Sequence, residues 1–302
     1  MVRHVIIVTH NNEPHIRACL DALPAAWQGR PYHVTLVDNA SQDRTVSIVE
    51  HTHPEVRVLP LRTNTGFAQA VHLAYSPKAT MTLLLNPDTV PLPGSLARLE
   101  ETLNSWPTVG AVGPALVSPD GRIDPRSARS FPSLWREFMD KLGVASRYPN
   151  SLLTGRYYMG TLKTLEPVPV LSGAAILIRG QAWRAVNGLD TRFWLYAEDT
   201  DFCKRLWQAG WMCVYTPQAR VIHVGSGSVP EQERLSLGII ALDSMYNYMV
   251  KHHGPVYGLL YRGLLMLVAL IKSIYWALRL NPYHLQVQRV TFHWAWTRAH
   301  WK

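Results

Sequence analysis

What this 302-residue chain lacks narrows it quickly. Its three cysteines, Cys19, Cys203 and Cys213, form neither a CxxC pair nor an even set. That argues against a disulfide framework and for a reducing compartment. The opening MVRHVIIVTHNN holds an apolar run too short for a secretory signal and turns polar at once, so it reads as a first β-strand. No internal repeat and no low-complexity tract appears, which sets aside solenoids and disordered linkers. After the first strand, THNNEPHIRACL contains neither glycine nor lysine, so no glycine-rich basic phosphate loop follows it. Acid is missing altogether from Ser244 to Lys302, where Lys251, Arg262, Lys272, Arg279, Arg289, Arg298 and Lys302 supply seven positive charges. Most of the net charge of +9 therefore belongs to this tail. Such a tail suits an anionic membrane surface or nucleic acid.

What is present is enough for a sizeable core, with 47% hydrophobic residues. Short β-branched runs at 4–9, 33–38, 56–61 and 80–86 read as buried strands. Between them, EPHIRACLDAL, DRTVSIVEHT and GFAQAVHLAY carry helical apolar spacing, with Asn12 and Ser41 as expected N-caps. This βαβ rhythm predicts a mostly parallel sheet with helices on both faces. Ligands gather at the carboxyl ends of such strands. Those ends here are the polar stretches THNN, VDNAS, TNTGFA and NPD. Residues 118–167 read as an irregular, partly loop-like insert. Order returns at PVLSGAAILIRG, then at GLDTRFWLYAEDTDFCKRLWQAGW with a helix from Glu198 and an Asp201–Arg205 pair, then at a final strand pair ending RVIHVGSGS.

Several residues are candidates for chemistry, each with an ordinary alternative. Asp88 ends an apolar strand in NPDTVPLPG, as a turn acid or as an oxygen ligand for a hard divalent cation. Glu198, Asp199 and Asp201 open a helix, where acids complement the dipole and where one carboxylate could act as general base. Phe193, Trp194 and Tyr196 just before them could floor a sugar ring or join the core. His223 closes the strand ARVIH, as a structural histidine or a ligand. Asp38, Asn39 and Ser41 form a turn, and NTG at 64–66 is a common loop signal.

In combination and in this order, the motifs VTHNN, VDNASQD, NTGFAQA, LLLNPDT, SGAAILIR, GLDTRFWLYAEDTDFCKRLWQAGW and VIH resemble the family 2 inverting glycosyltransferases, most closely the rhamnosyltransferase-like branch. The resemblance covers roughly residues 4–228. It implies a GT-A fold, α/β and Rossmann-like, in a domain over 1–243 with a nucleotide-binding half (about 1–117) and an acceptor-binding half (about 118–243). Residues 244–302 are then a basic, Trp-rich tail. By position it assigns Thr9, His10, Asp38, Asn39, Asn64 and Gly66 to the nucleotide-sugar donor, with Ser172 and Gly173 shaping the sugar's pocket. Trp194 and Tyr196 would meet the acceptor. Asp88, with His223 as a second ligand, would hold Mg²⁺ or Mn²⁺ against the diphosphate. Asp199 would be the catalytic base, with Glu198 beside it. Two departures stand out: Asn39 follows Asp38 where many relatives have a second acid, and Asn86 stands where the usual DxD pattern has one.

The activity implied is transfer of a sugar, with rhamnose expected, from a dTDP- or UDP-linked donor to a glycolipid or polysaccharide acceptor in cell-surface glycan synthesis. The rivals are a sugar nucleotidyltransferase, disfavoured by the absent phosphate loop, and a non-enzymatic membrane or nucleic-acid binding protein carried by the tail. In 256–280, Arg262, Lys272 and Arg279 fall within an arc of about 100° on a helix, and the nine residues between the first two are too few to span a bilayer. An in-plane interfacial helix is expected, with Trp294, Trp296 and Trp301 beside Arg298 and Lys302 at headgroup depth. A helix docked on protein and a tilted helix that spans the bilayer are the alternatives. The expected setting is the cytoplasmic face of the cell membrane, with no nucleic-acid partner.

Overall fold

The computed structural model describes residues 1–149, 151–225 and 231–297. Two compact units emerge, one of residues 1–131 and 158–227, the other of 132–157 and 228–302.

The first unit is built on a nine-stranded sheet. In chain order its strands, with those of a small separate ribbon, are β1 (Arg3–Thr9), β2 (His33–Asp38), β3 (Arg57–Pro60), β4 (Met81–Leu85), β5 (Thr89–Pro91), β6 (Val109–Val117), β7 (Ala128–Arg129), β8 (Glu166–Pro167), β9 (Val170–Leu171), β10 (Ala175–Arg179) and β11 (Met212–His223). The spatial order is β3-β2-β1-β4-β10-β6-β11-β5, with β8 on β11; β7 and β9 form the ribbon. The four strands expected from the sequence are parallel neighbours at one side. Their side chains alternate between two cores. Val5 and Ile7 pack with Trp27 and Leu99 on one face, while Ile6 packs with Val71 and Trp183 on the other. Helices cover both faces, which is why these strands read as unbroken apolar runs.

Strand β10 enters antiparallel between β4 and β6. Its position sets the site, because Ala175 pairs with Leu85 and brings the SGA segment beside the NPD turn. The final strand pair expected from sequence is instead one long strand, β11, irregular between Thr216 and Arg220. The residues Ser226 to Ser228 that follow lie outside the described residues. Neither expected N-cap holds. Ser41 spends its hydroxyl on Asp38, and the helix Thr45–Thr52 starts later, with Asp43 Oδ1 accepting from Thr45 N at 3.0 Å. Asn12 accepts backbone N–H groups through its carbonyl, its side chain being bonded to Thr9 and His10.

The second unit contains the helices Leu134–Lys141, Glu231–His253, Pro255–Leu278 and Pro282–Thr297. The amphipathic helix at 134–141 lies inside the stretch read as loop-like. Its buried Glu137 accepts from the Tyr157 and Tyr261 hydroxyls. The Pro255–Leu278 helix is long and apolar enough to cross a membrane. Its cations are engaged within the unit. Arg262 donates to the carbonyls of Ala295 (2.7 Å) and Trp296 (2.6 Å), at a helix C-terminus where positive charge is favoured. Lys272 is half-buried, and burial lowers its pKa. Arg279 lies over the Tyr275 ring. The outward stripe of this helix is apolar, through Val256, Leu260, Leu267, Leu270, Ile274 and Leu278. Trp296 is exposed and Trp294 buried, while Arg298, Trp301 and Lys302 lie outside the described residues.

Candidate active site

The polar ends of β1, β2 and β4 and the start of the helix Glu198–Gln208 assemble at the carboxyl edge of the sheet. Register explains the Asp88–His223 pair. Strand β5 pairs antiparallel with β11, with His223 opposite Thr89. The His223 ring therefore reaches the carboxylate one residue before Thr89, with Nε2 to Asp88 Oδ2 at 3.4 Å. Val224 N and Gly225 N donate to the Asp88 carbonyl and carboxylate, both at 3.1 Å. Burial pushes the Asp88 carboxyl up, but the His223 ring and the backbone N–H groups of Asp88 and Gly225 outweigh it and leave it below the usual range. An ionised carboxylate beside an imidazole nitrogen, both partly open to solvent, suits a divalent ion that completes its shell with phosphate oxygens. Among the described residues no group of three or more His, Cys, Asp or Glu could hold a metal ion, so such an ion would depend on its substrate.

The SGA segment links this corner to the second one. Asn86 N donates to Ala174 O at 2.9 Å, and Gly173 N donates to Asp199 Oδ2 at 3.1 Å. A Cβ on Gly173 would lie 3.3 Å from that of Asp199, so glycine permits the close approach. Tyr196 and Ala197 both have positive φ, at 66° and 60°. Two successive left-handed non-glycine residues are costly, and they turn the chain sharply into the helix. Asp199 is then bonded on both oxygens: Oδ1 accepts from Thr200 N (2.6 Å) and Oγ1 (3.0 Å), and Oδ2 accepts from Arg129 Nη2 at 2.8 Å. The Asp201–Arg205 pair forms as expected, at 2.7 Å.

Glu198 is different. It is buried, and its Oε2 has no hydrogen-bond partner among the described residues. Burial, followed by the charge of Asp199, pushes its carboxyl up to about 8. The two neighbouring carboxyls thus stand in different settings, since Asp199 is paired with Arg129. The linkage has a definite sign. Folded Glu198 keeps its proton up to about pH 8 while unfolded Glu198 releases it near 4.5, so stability falls as pH rises through that window. Glu198→Gln should remove this fall. At pH 8 the variant should gain on the order of a few kcal/mol over the wild type, relative to the same comparison at pH 5. Urea midpoints at the two pH values check it, and parallel shifts in both proteins would contradict it.

The donor-side candidates divide into buried and accessible groups. Thr9, Asp38 and Asn39 are buried and bonded, the first two within their own loops and Asn39 to the loop at 64–66. Asp38 accepts from Ser41, while Asn39 accepts from Thr65 N (2.8 Å) and donates to the Gly66 carbonyl (3.2 Å). Asn64 accepts from Gly66 N at 3.0 Å. His10 is exposed, with Nδ1 2.8 Å from the Asn39 carbonyl. The close approach that Gly66 allows at its φ of 83° is made by Trp194, whose carbonyl would lie 2.4 Å from an added Cβ. Phe67 N also donates to that carbonyl, at 2.7 Å. Trp194 and Tyr196 remain 39% exposed, enough to offer ring faces, whereas Phe193 is core. Sequence reading offers no role for Arg129, which sits in an aperiodic, Pro-rich stretch. Its only signal there is a basic residue type.

Residues 4–182 match the model of glycosyl transferase family 2. The chain is 36% identical over 232 residues to an N-acetylglucosaminyl-diphospho-decaprenol L-rhamnosyltransferase of Mycobacterium tuberculosis, covering 72% of this chain and 75% of that one. Among solved structures, a mannosyltransferase from Pyrobaculum calidifontis in complex with GDP-Man and Mn²⁺ aligns with a TM-score of 0.57 at 17% identity, covering 99% of this chain and 88% of its own. TarS 1–349 of S. aureus aligns at 0.53 and 15%, covering 100% and 93%. At those identities the likeness concerns fold, and the fold is GT-A. Carried by a family match over more than half its length, this chain belongs to glycosyl transferase family 2.

Proposed function

We propose that this glycosyltransferase moves rhamnose, with inversion, from a dTDP- or UDP-linked donor to a lipid-linked or polysaccharide acceptor in cell-surface glycan synthesis. The observation that carries the reading is the SGA bridge, which ties the Asp88–His223 corner to Asp199 through Ala174 and Gly173. The 36% identity to a decaprenol-linked rhamnosyltransferase supports the sugar and the acceptor class.

In this reading Asp199 takes the proton of the acceptor hydroxyl, whose oxygen bonds to the anomeric carbon. The bond to the diphosphate breaks on the opposite face, its electron pair leaving with the diphosphate. Asp88 and His223 would hold Mn²⁺ or Mg²⁺, which when bound neutralises charge on the leaving group. His10 and the loops around Asp38, Asn39 and Asn64 receive the nucleotide, and Trp194 and Tyr196 offer ring faces to the acceptor. Glu198, buried beside Asp199, keeps its own proton up to about pH 8 and leaves proton abstraction to Asp199. The enzyme works at the cytoplasmic face of the membrane. The exposed apolar stripe from Val256 to Leu278 lies in the interface, supported by the acid-free tail.

One experiment with two arms tests this. In the first, melting temperature is followed with dTDP-, UDP- and GDP-sugars, with and without Mn²⁺. A dTDP- or UDP-sugar should stabilise only with metal, by about 2.7 kcal/mol at 100 times Kd. Stabilisation by none of them, or equally without metal, would overturn the donor reading. In the second arm, the protein should sediment with vesicles containing anionic lipid. Vesicle binding that survives Leu260→Asp with Leu267→Asp would remove the interfacial helix from the account.

A further inference from the structure

The base is not waiting with an open lone pair. A carboxylate offers about four lone-pair sites, and among the described residues Asp199 has four donors: Thr200 N, Thr200 Oγ1, Gly173 N and Arg129 Nη2. Two of these are backbone groups, and the third belongs to the adjacent residue. Arg129 alone is a side chain remote in sequence, 70 residues from Asp199. It is carried by β7, whose pairing with β9 (Arg129 opposite Val170) runs the residue alongside the chain that leads into Ser172 and Gly173. Its Nη2 also lies 3.4 Å from Thr200 Oγ1. The titratable groups that bear on it include Asp199, Glu198 and Arg126.

We propose that Arg129 is a positioning residue that guards the base: it occupies Asp199 Oδ2 while the acceptor is absent and yields that oxygen to the acceptor hydroxyl. This rests on the assignment of Asp199 as base. The guarded reaction is hydrolysis of the donor. In it a water oxygen bonds to the anomeric carbon, the carbon–oxygen bond to the diphosphate breaks with its electron pair on the diphosphate, and the water proton goes to Oδ2. With Arg129 on Oδ2, that proton has no lone pair to receive it. Water brings no other contacts that could displace a charge-assisted hydrogen bond. A sugar acceptor seated in the site does bring them, so the same pair is released for transfer and held against waste.

The test uses the full chain with Mn²⁺ and dTDP-rhamnose, measuring donor hydrolysis alone and transfer to a prenyl-diphosphate-linked N-acetylglucosamine. Arg129→Gln should raise the ratio of hydrolysis to transfer about tenfold or more, a difference of about 1.4 kcal/mol between the two barriers. Arg129→Lys, which keeps one charged donor, should restore most of the wild-type ratio. Hydrolysis and transfer falling in parallel with melting temperature would make Arg129 merely structural and overturn the proposal. So would an unchanged ratio in a well-folded Gln variant. Asp199→Asn in the same assay separates the two readings: if it still transfers, the base assignment fails, and the guard fails with it. If it is inactive while the Arg129→Gln ratio is unchanged, only the guard fails.

Discussion

Asp199→Asn should lower kcat by about 10²- to 10⁴-fold, the usual contribution of a general base, while donor binding stays nearly unchanged. The amide is isosteric but has no site for the acceptor proton. It also places an NH₂ where the carboxylate met donors on both oxygens, from Thr200 on one side and from Gly173 and Arg129 on the other. One of these contacts must therefore turn repulsive, and some loss of melting temperature is expected as well. Donor affinity separates the effects, since the residues proposed to receive the nucleotide, His10 and the loops around Asp38, Asn39 and Asn64, make none of these bonds. Glu198→Gln should be milder, because its carboxyl is already neutral below about pH 8. Single-turnover transfer with saturating donor is the measurement. If Glu198→Gln proves the more damaging, the base is Glu198.

Asp88→Ala should reduce transfer by about 10³-fold or more and abolish metal-dependent stabilisation by the donor. An electrostatic clamp on a leaving diphosphate accounts for a loss of that size. The fold should survive. The Asp88 side chain is partly open and its main structural tie is to Gly225 N, so the cost to stability is about 1 kcal/mol. His223→Ala should act on the same axis more weakly, raising the Mn²⁺ concentration for half-maximal activity, with partial rescue by excess metal. Calorimetric titration of dTDP-rhamnose with and without Mn²⁺ reads both variants. Unchanged Mn²⁺-dependent binding in Asp88→Ala would remove the metal assignment from this corner.

These two predictions were available from residue order alone, and the reason is local. A buried strand is an apolar run, and the break at Asn86-Pro87-Asp88 states where the strand ends and which side chain its end carries. Acids at a helix start are legible in the same way, so Glu198 and Asp199 stand out without a structure. Spacing within one element could not show how distant segments meet. Arg129 and Asp199 lie 70 residues apart in the chain, and their pairing depends on the β7–β9 ribbon. The insertion of β10 between β4 and β6, which brings SGA to both corners, is a choice among strand orders that no local pattern encodes. Burial then divided Glu198 from Asp199, because desolvation depends on what covers a group rather than on its neighbours in sequence. The tail follows the same rule. Its charge count and apolar content were readable, but the packing of the second unit decided that Arg262 meets a helix C-terminus and that the leucine stripe faces outward.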